Sequence, residues 1–373
     1  MLPQEQIRDH HRRHFEGFAK EACHDSALYE RLARALATDE TAVQLLAHAP
    51  PSQRRANLLF AAVHDLLLDG IEHPLARFYP SVGGQRLDAD GVPGEREVDE
   101  VVTAFRDLLS IAQERIVETI RHRRTQTNEV GRGAALWPAL HQVAGWAAGR
   151  PLALVEIGCS AGLLLHLDRY RYRSAAPNAD MGPGPGDGGT ISSEVRGIPP
   201  RITTPPVITQ RIGIDLQPLD VTDDADVRWL RACVWPESLT RLARLDAAVG
   251  VARQNRDVQL LRGEVTQVLP SVLTDLPDDV VPCVFHSATF AYLDPQQRDH
   301  LAGTLGSVGS GRDLAWLSLE GPFLEPFASM AGDTTDGTTF LLGSTVWRDG
   351  TREDRLLARA HPHGAWVEHL CAP

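Results

Sequence analysis

A glycine-containing segment, Leu154 to Leu165, carries the strongest chemical signal in the sequence. An apolar run passes through small residues into a second apolar run. Gly158 and Gly162 let the backbone approach a ligand closely because glycine has no Cβ, and the first amide groups of a following helix point toward such a ligand. The spacing differs from the dinucleotide pattern G-x-G-x-x-G, because Ser160 stands where the second glycine belongs. The segment predicts a strand, a ligand-binding turn and a helix; a tight turn without a ligand is the alternative.

A histidine stands at the end of another candidate strand. The segment Cys283 to Tyr292 contains His286 and Ser287 directly after apolar residues. In a doubly wound sheet the carboxyl ends of the strands form the ligand crevice. Histidine has a reference pKa of about 6.5, so a neutral base is available at cellular pH, and such a base accelerates reactions by roughly 10²- to 10⁴-fold. We expect His286 to act as a catalytic base; a structural hydrogen bond within the loop is the alternative.

A polar run, Arg124 to Arg132, lies beside apolar residues in the N-terminal half of the sequence. If the run is helical, Arg124, Asn128 and Arg132 share one face at a spacing of four. Buried polar groups need partners, and arginine binds carboxylate, sulfate or phosphate through paired hydrogen bonds. We predict catalytic roles for Arg124, Asn128 and Glu129, and a contact between Arg132 and an anionic substrate. A hydrogen-bond network between domains would occupy the same side chains equally well.

Three further side chains complete the predicted substrate contacts. His73 and Tyr79 belong to a polar cluster that begins with His64 and Asp65 on an otherwise apolar helix. Tyr292 follows the candidate strand that ends near His286. The hydrogen-bond network remains the alternative for the cluster.

The elements that must position these residues fall into two regions. Up to about residue 150, apolar residues recur at spacings of three and four, which predicts helices. From Leu152, short apolar strands alternate with helical stretches, which is typical of a parallel sheet with crossover helices. We predict an N-terminal helical domain at residues 1–150, acting as a substrate cap, and an α/β domain at residues 151–373. A Gly/Pro-rich insertion at residues 174–206 contains the run Met181 to Gly189, which is expected to be a flexible loop or lid without preferred secondary structure.

Seven candidate strands predict the architecture of the α/β domain. They are Leu152 to Ile157, Gln210 to Leu216, Val258 to Leu261, Val281 to His286, Leu314 to Glu320, Thr339 to Val346 and Arg355 to His361. The last two are too close in sequence for a crossover helix and should form an antiparallel hairpin. A mostly parallel sheet that ends in such a hairpin resembles class I S-adenosylmethionine-dependent methyltransferases. The fold class is therefore expected to be α/β, with a seven-stranded Rossmann-like sheet.

The glycine segment is also similar to the first motif of those methyltransferases, which has an acid on the strand, a glycine, a small residue and a second glycine. The resemblance implies that Glu156 holds the methionine end of S-adenosylmethionine, and that Gly158, Ser160 and Gly162 line the cofactor. In the same architecture Asp215 is placed to accept hydrogen bonds from the ribose hydroxyls, and Glu264 from the adenine amino group. Either acid alone could be a solvent-exposed carboxylate, but three acids at successive strand ends favour a site.

Composition excludes several classes of function. The 373 residues include 49 acidic and 37 basic side chains, a net charge of −12, which argues against a nucleic-acid partner. No apolar stretch approaches 18 residues, so we expect no membrane partner and a cytoplasmic location. The five cysteines are scattered and odd in number, which argues against disulfides and a structural zinc site. No metal site is expected, because His10, His11 and His14 lack a carboxylate or cysteine at ligand spacing.

Several segments together resemble the actinobacterial family known only as domain of unknown function 2332. They are His73 to Ser81, Arg123 to Arg132, Glu156 to Leu163, Asp168 to Tyr172, Gly213 to Leu216 with Pro218 to Val221, Val234 to Glu237, and Phe285 to Ser287. The resemblance covers nearly the whole chain and implies a fold, but no reaction. Two departures lie at the predicted cofactor rim, where Leu164 replaces an asparagine of an A-G-L-N pattern and Glu264 replaces the aspartate of R-G-D.

Three hypotheses follow. The first is an enzyme that uses S-adenosylmethionine to methylate a small, anionic metabolite, with His286 as the base, in specialised metabolism. The second is a non-methylating enzyme of natural-product biosynthesis that catalyses a displacement or elimination, such as closure of a small aziridine-type ring. The third is a non-catalytic partner subunit with a decayed cofactor pocket. A small-molecule substrate is expected in the first two, and the sequence leaves open a homo-oligomer or a small partner subunit.

Overall fold

The computed structural model describes residues 4–23, 25–87, 94–174, 189–197, 204–322, 327–331 and 339–370. Contacts divide the chain into two compact units. The helical unit comprises Met1–Thr127 and Thr222–Ala243, and the sheet unit comprises Asn128–Val221 and Arg244–Pro373.

The helical unit is built from amphipathic helices around an aromatic core. Its helices are α1 (Gln4–Ala22), α2 (Ala27–Leu36), α3 (Glu40–Leu46), α4 (Ala56–Leu68), α5 (Glu95–Ile111), α6 (Gln113–His122) and α8 (Asp224–Ala232). Short polar side chains begin several of them: Ser26 accepts a hydrogen bond from the Tyr29 amide, and Asp39 accepts one from the Ala42 amide. Phe60 of α4 stacks on Tyr29, with 4.7 Å between the ring centroids, and both rings are buried.

The sheet unit contains one sheet of ten strands in the described part of the chain. The strands are β1 (Leu152–Ile157), β2 (Arg171–Ser174), β3 (Thr190–Gly197), β4 (Ile208–Asp215), β5 (Gln259–Arg262), β6 (Val281–Ser287), β7 (Leu314–Glu320), β8 (Phe340–Arg348), β9 (Thr351–Ala360) and β10 (Trp366–His369). Their order is β2-β3-β10-β9-β8-β7-β6-β1-β4-β5. The pairs β7·β8, β8·β9 and β9·β10 are antiparallel, and the other pairs are parallel.

The fold class is α/β, as expected, but the sheet has ten strands rather than seven. The predicted hairpin is confirmed, because β8 and β9 pair antiparallel from Phe340 to Arg348. The three strands that sequence reasoning missed, β2, β3 and β10, extend the sheet beyond β9. β2 and β10 have only four residues each, and in all three strands buried residues alternate with more accessible ones, so they lack the continuous apolar runs of the central strands.

The Gly/Pro-rich insertion contains one strand within its described residues. Residues 175–188 and 198–203 lie outside the described residues, but β3 forms between them and pairs in parallel with β2 and β10. The run Met181 to Gly189, for which we predict a loop or lid, lies outside the described residues except for Gly189. Ile191 and Ser193 of β3 are buried, which gives the strand an inward face.

Three helices belong entirely to the sheet unit: α7 (Gly133–Trp146), α10 (Val265–Asp275) and α11 (Pro295–Gly309). Helix α9 (Leu239–Gln254) begins in the helical unit and ends in the sheet unit. Helix α7 contacts β3, β7, β8 and β9, so its contacts group it with the strands. The boundary predicted near residue 150 had counted α7 with the helical domain. Its residues are buried almost throughout, as expected for a helix packed on a sheet.

Within the described residues, no helix is both long and apolar enough to cross a membrane.

Candidate functional site

The turn after β1 has an unusual backbone. Gly158, Ser160 and Gly162 have φ values of +70°, +53° and +68°. This left-handed region suits glycine but costs a serine roughly 1–2 kcal/mol, and such strain concentrates at functional sites. A Cβ on Gly158 would come within 2.4 Å of the Thr289 hydroxyl oxygen, so the turn packs closely on the segment after β6. We call residues 158–162 the glycine turn.

The element after the glycine turn differs from the expected helix. Residues Leu163–Arg169 form a short 3₁₀ run, and His166 interrupts its helical geometry. The Tyr170 hydroxyl donates a hydrogen bond to the Leu163 carbonyl oxygen at 2.7 Å. A helix dipole is therefore not available to stabilise an anion at this turn, and recognition must rely on side chains and individual amides.

Asp215 holds the glycine turn in place. Its Oδ2 atom accepts a hydrogen bond from the Ser160 amide, and its Oδ1 atom accepts one from the Gln217 amide, both at 2.8 Å. The strained Ser160 conformation is thus supported by the acid at the end of the neighbouring strand β4.

Glu156 is a buried acid whose pKa is raised. Its side chain is 3% exposed, and its Oε2 atom has no hydrogen-bond partner within the described chain. Burial raises the pKa of Glu156 well above its usual value, the nearby Asp215 charge raises it further, and Arg132 opposes both effects. A buried carboxyl oxygen without a partner is costly, and an N–H or O–H donor from a ligand would remove that cost.

Two more buried polar atoms flank the same turn. The Asn128 Nδ2 atom donates to the Cys159 carbonyl oxygen at 2.6 Å, which leaves Asn128 Oδ1 without a partner among the residues described. The Ser160 Oγ atom is also buried without one. Glu156 Oε2, Asn128 Oδ1 and Ser160 Oγ are thus three unsatisfied polar atoms, on the glycine turn or on residues next to it in sequence or by contact, that can accept hydrogen bonds, which suits a ligand rich in donors.

His286 is fully buried and paired. Its Nδ1 atom lies 2.7 Å from Glu320 Oε1, and its ring stacks on Phe290 with 4.0 Å between centroids. The same Glu320 oxygen accepts hydrogen bonds from the amides of Thr289 and Phe290, at 2.8 and 3.2 Å. Ala288, which directly precedes Thr289, is a non-glycine residue with a φ of +54°. The pair therefore organises the strained turn after β6.

The register of the sheet separates His286 from Glu156. Glu156 pairs with Phe285, and Ile157 pairs with His286. Because side chains alternate between the faces of a strand, His286 lies on the face of Ile157, opposite Glu156. That face carries the apolar core formed with α10 and α11. These contacts favour a positioning role for His286, and its role as a base stays a prediction.

Residues 124–129 of the polar run are not helical. Helix α6 ends at His122, residues 123–129 are irregular, and a 3₁₀ turn covers Val130–Arg132. The helical face proposed for Arg124, Asn128 and Arg132 is therefore wrong. The extended backbone of Arg123, with φ −100° and ψ 154°, ends the preceding helix.

Arg132 and Glu129 take part in internal contacts of the sheet unit. The Arg132 Nη1 atom donates to the Ser287 carbonyl oxygen at 3.3 Å, and Nε donates to the Pro362 carbonyl oxygen at 3.0 Å. Glu129 accepts from the Gly131 amide at 3.0 Å and from Arg244 at 3.4 Å. The contacts of Arg132 and Glu129 thus form a hydrogen-bond network within the sheet unit rather than between domains, and Arg132 reaches Ser287, the last residue of β6.

The remaining predicted residues lie elsewhere. Glu264 is the N-cap of α10 and accepts a hydrogen bond from the Thr266 amide at 3.0 Å. Tyr292 is 44% exposed in the 3₁₀ turn after β6. Arg124, His73 and Tyr79 belong to the helical unit. There, His73 Nε2 lies 3.1 Å from Asp107 Oδ2, the Arg124 carbonyl oxygen accepts from Trp229, and Tyr79 is fully buried.

Sequence reasoning missed Glu320 and Thr289. Glu320 ends a predicted strand, so the signal of an acid at a strand end was present in the sequence. Its partnership with His286 depends on the pairing of β6 with β7, which the sequence does not specify. In the described ranges, no group of three or more His, Cys, Asp or Glu side chains has the geometry of a metal site.

Comparison with known protein families shows which family the chain belongs to. The family described as "Uncharacterized protein conserved in bacteria (DUF2332)" matches residues 12–369. The chain belongs to this family. The resemblance inferred from the sequence is confirmed at this level, and the match includes segments of both the helical unit and the sheet unit. No curated protein matches the chain.

Proposed function

We propose that this protein is an enzyme that binds a small molecule with an amino group at the glycine turn, and that this molecule is S-adenosylmethionine. The observation that carries the proposal is the buried Glu156 Oε2 atom, which lacks a partner in the described structure beside two other unsatisfied acceptors. An ammonium group supplies three donors and a positive charge. It would satisfy these acceptors and favour the ionised form of Glu156.

The residues at the glycine turn fit this cofactor. Glu156 would hold the amino group, Gly158 and Gly162 would allow close approach of the ligand, and Asp215 would accept from the ribose hydroxyls. When bound, S-adenosylmethionine supplies an activated methyl group. The methyltransferase-like character of the sheet unit, the small anionic substrate and a role in specialised biosynthesis all belong to this proposal.

The chain's own residues would contribute alignment rather than strong acid–base chemistry. Asp215 accepts from the amide of Ser160 and Glu320 from the amide of Thr289, which follows Ala288, so the strained turns after the neighbouring strands β1 and β6 are both held by an acid and would face the ligand. Correct alignment of reacting groups can account for a large part of a rate enhancement. Arg132, which binds the Ser287 carbonyl oxygen, would bring a positive charge toward an anionic substrate.

The test is calorimetric titration with S-adenosylhomocysteine and with 5′-methylthioadenosine, which lacks the amino acid. We expect a micromolar complex with the first ligand and weaker binding of the second. Glu156→Gln should weaken S-adenosylhomocysteine binding by roughly tenfold to a hundredfold, because a charge-assisted hydrogen bond contributes about 1.5–3 kcal/mol. The exposed Glu353→Gln is the matched control and should bind normally. Absence of heat with the wild-type protein at 1 mM ligand would rule the proposal out.

A second candidate, a non-methylating enzyme on the same fold, has its own support. Both oxygens of Asp215 already accept backbone hydrogen bonds, and Glu264 caps a helix. Both acids expected to bind the nucleoside part of the cofactor are thus engaged within the fold. A protein that ignores both adenosyl ligands but binds a simple amine at Glu156 would favour this candidate.

A further inference from the structure

Glu156 shares its buried surroundings with one other carboxylate and one guanidinium. Its side chain is 3% exposed, and the charges of Asp215 and Arg132 act on it in opposite directions. Asp215 accepts amide hydrogen bonds on both oxygens at 2.8 Å, as an ionised carboxylate does. The Arg132 guanidinium donates to the carbonyl oxygens of Ser287 and Pro362. An ionised Glu156 would therefore place two negative charges beside one positive charge, away from bulk water.

Two further titratable groups interact electrostatically with Glu156, and both are neutral. They are the thiol of Cys159 in the glycine turn and the hydroxyl of Tyr170. Burial is the main cause that raises the pKa of each group, so neither loses its proton near neutral pH. The Tyr170 hydroxyl also uses its proton in a hydrogen bond to a backbone carbonyl oxygen at 2.7 Å. The charge of this part of the site therefore depends on Glu156, Asp215 and Arg132.

The free protein avoids the excess negative charge by keeping a proton on Glu156. The Oε2 atom has no hydrogen-bond partner in the described chain, so no donor at that atom compensates a charge on the carboxylate. Burial is the largest cause that raises the pKa of Glu156, and the charge of Asp215 adds to it. Protonation makes the carboxyl group neutral, and the site then holds one negative and one positive charge.

A ligand can take over the role of this proton only if it brings a positive charge. An α-amino group is mostly protonated at pH 7, and a positive charge within hydrogen-bond distance favours the ionised form of a carboxyl group. We propose, building on the function proposed above, that Glu156 exchanges its proton for the cationic amino group of the bound ligand. Glu156 is then the residue that selects ligands by their charge.

The exchange conserves atoms and charge. The O–H bond of Glu156 breaks, its electron pair stays on the carboxylate oxygen, and the proton passes to the solvent. The ammonium group keeps its three N–H bonds and donates to acceptors that the described chain leaves unsatisfied. One positive charge enters as another leaves, so the net charge of the site is the same before and after binding. A ligand without an amino group, such as 5′-methylthioadenosine, cannot take part in this exchange.

Proton release fixes the direction in which pH changes the affinity. Because binding releases a proton, the affinity rises with pH wherever Glu156 is protonated in the free protein. The increase is at most about tenfold per pH unit, and it ends when the pH exceeds the raised pKa of Glu156 in the free protein. If Glu156 were already ionised in the free protein, the affinity would not change with pH in this range.

Calorimetric titration with S-adenosylhomocysteine in two buffers measures the released proton directly. At pH 6.5, phosphate and MOPS buffers take up protons with different enthalpies, so the difference in binding heat gives the number of protons released. We expect about 0.5–1 proton per bound ligand, and none with 5′-methylthioadenosine. A saturable complex formed without proton release would overturn the exchange and leave the proposed function intact. No complex at 1 mM ligand would refute the proposed function and the exchange together.

A variant without the titrating carboxyl group provides the second test. In Glu156→Gln the affinity should be independent of pH between 5.5 and 7.5, whereas that of the wild-type protein should rise by up to about tenfold per pH unit. The exposed Glu353→Gln is the matched control and should release as many protons as wild type. An equal pH dependence of Glu156→Gln and wild type would contradict the assignment. The two-buffer measurement uses the wild-type protein, so it decides the question even if Glu156→Gln does not fold.

Discussion

The raised pKa of Glu156 makes a quantitative prediction about stability. Glu156 is buried beside Asp215 without a partner for Oε2 in the described chain, and its folded-state pKa lies well above its usual value. In the unfolded chain the pKa returns to about 4.3. Between these two values the folded state holds a proton that the unfolded state has released. Stability is therefore full below about pH 4.3 and falls as the pH rises toward the folded-state pKa.

The size of this effect follows from proton linkage. Each pH unit within the window costs about 1.4 kcal/mol of unfolding free energy. Because glutamine cannot ionise, the unfolding free energy of Glu156→Gln should not contain this pH-dependent loss. Relative to the variant, the unfolding free energy of the wild-type protein should therefore fall with increasing pH above about 4.3, by at most about 1.4 kcal/mol per pH unit. For a unit of 150–250 residues, each such decrease lowers Tm by about 3–6 °C.

The assay is chemical or thermal unfolding of both proteins at pH 5, 6 and 7. All other titrating groups are common to the two proteins, so the difference between their stabilities isolates Glu156. Parallel stability curves, with a constant difference from pH 5 to pH 7, would refute the inference that Glu156 is protonated in the folded protein.

Two further predictions concern the strained turns. Gly158→Ala should destabilise the protein by about 2–5 kcal/mol, because alanine disfavours a φ of +70° and its Cβ would clash with Thr289. Gly250→Ala should instead stabilise the protein by about 1 kcal/mol, because Gly250 lies in helix α9 with free space around it. Urea unfolding measures both, and equal effects would contradict the argument. Glu320→Ala should cost about 2–4 kcal/mol, because two amides and His286 lose their shared acceptor, whereas the exposed Glu353→Ala should stay within about 0.5 kcal/mol. A similar small loss in both acid variants would show that Glu320 does not hold the turn.

Much of the sheet could be predicted from apolar runs. The predicted strands Leu152 to Ile157 and Leu314 to Glu320 coincide with β1 and β7, because both strands are buried on two faces and read as continuous apolar segments. Strand β3 could not be found in this way, since its exposed positions carry polar residues within a Gly/Pro-rich insertion. Its pairing with β10, far along the chain, depends on tertiary contacts that local patterns do not encode.

The site was predictable in part. The glycine turn could be located because its small residues follow a buried strand directly. The partners of its polar groups could not, because they depend on the register of neighbouring strands. The same holds for His286, since a shift of one residue in register would have moved it to the face of Glu156. Arg132 was predicted to contact substrate, and its bonds to the backbone of residues 287 and 362 became visible only in three dimensions.

Binding of S-adenosylhomocysteine to the purified wild-type protein tests the central claim most directly. If the unsatisfied acceptors of the glycine turn receive the amino group of an adenosyl ligand, calorimetry at pH 7.5 gives a saturable complex in the micromolar range, and Glu156→Gln weakens it at least about tenfold. Saturable binding that is identical in wild type and Glu156→Gln, or no heat at 1 mM ligand, would contradict it.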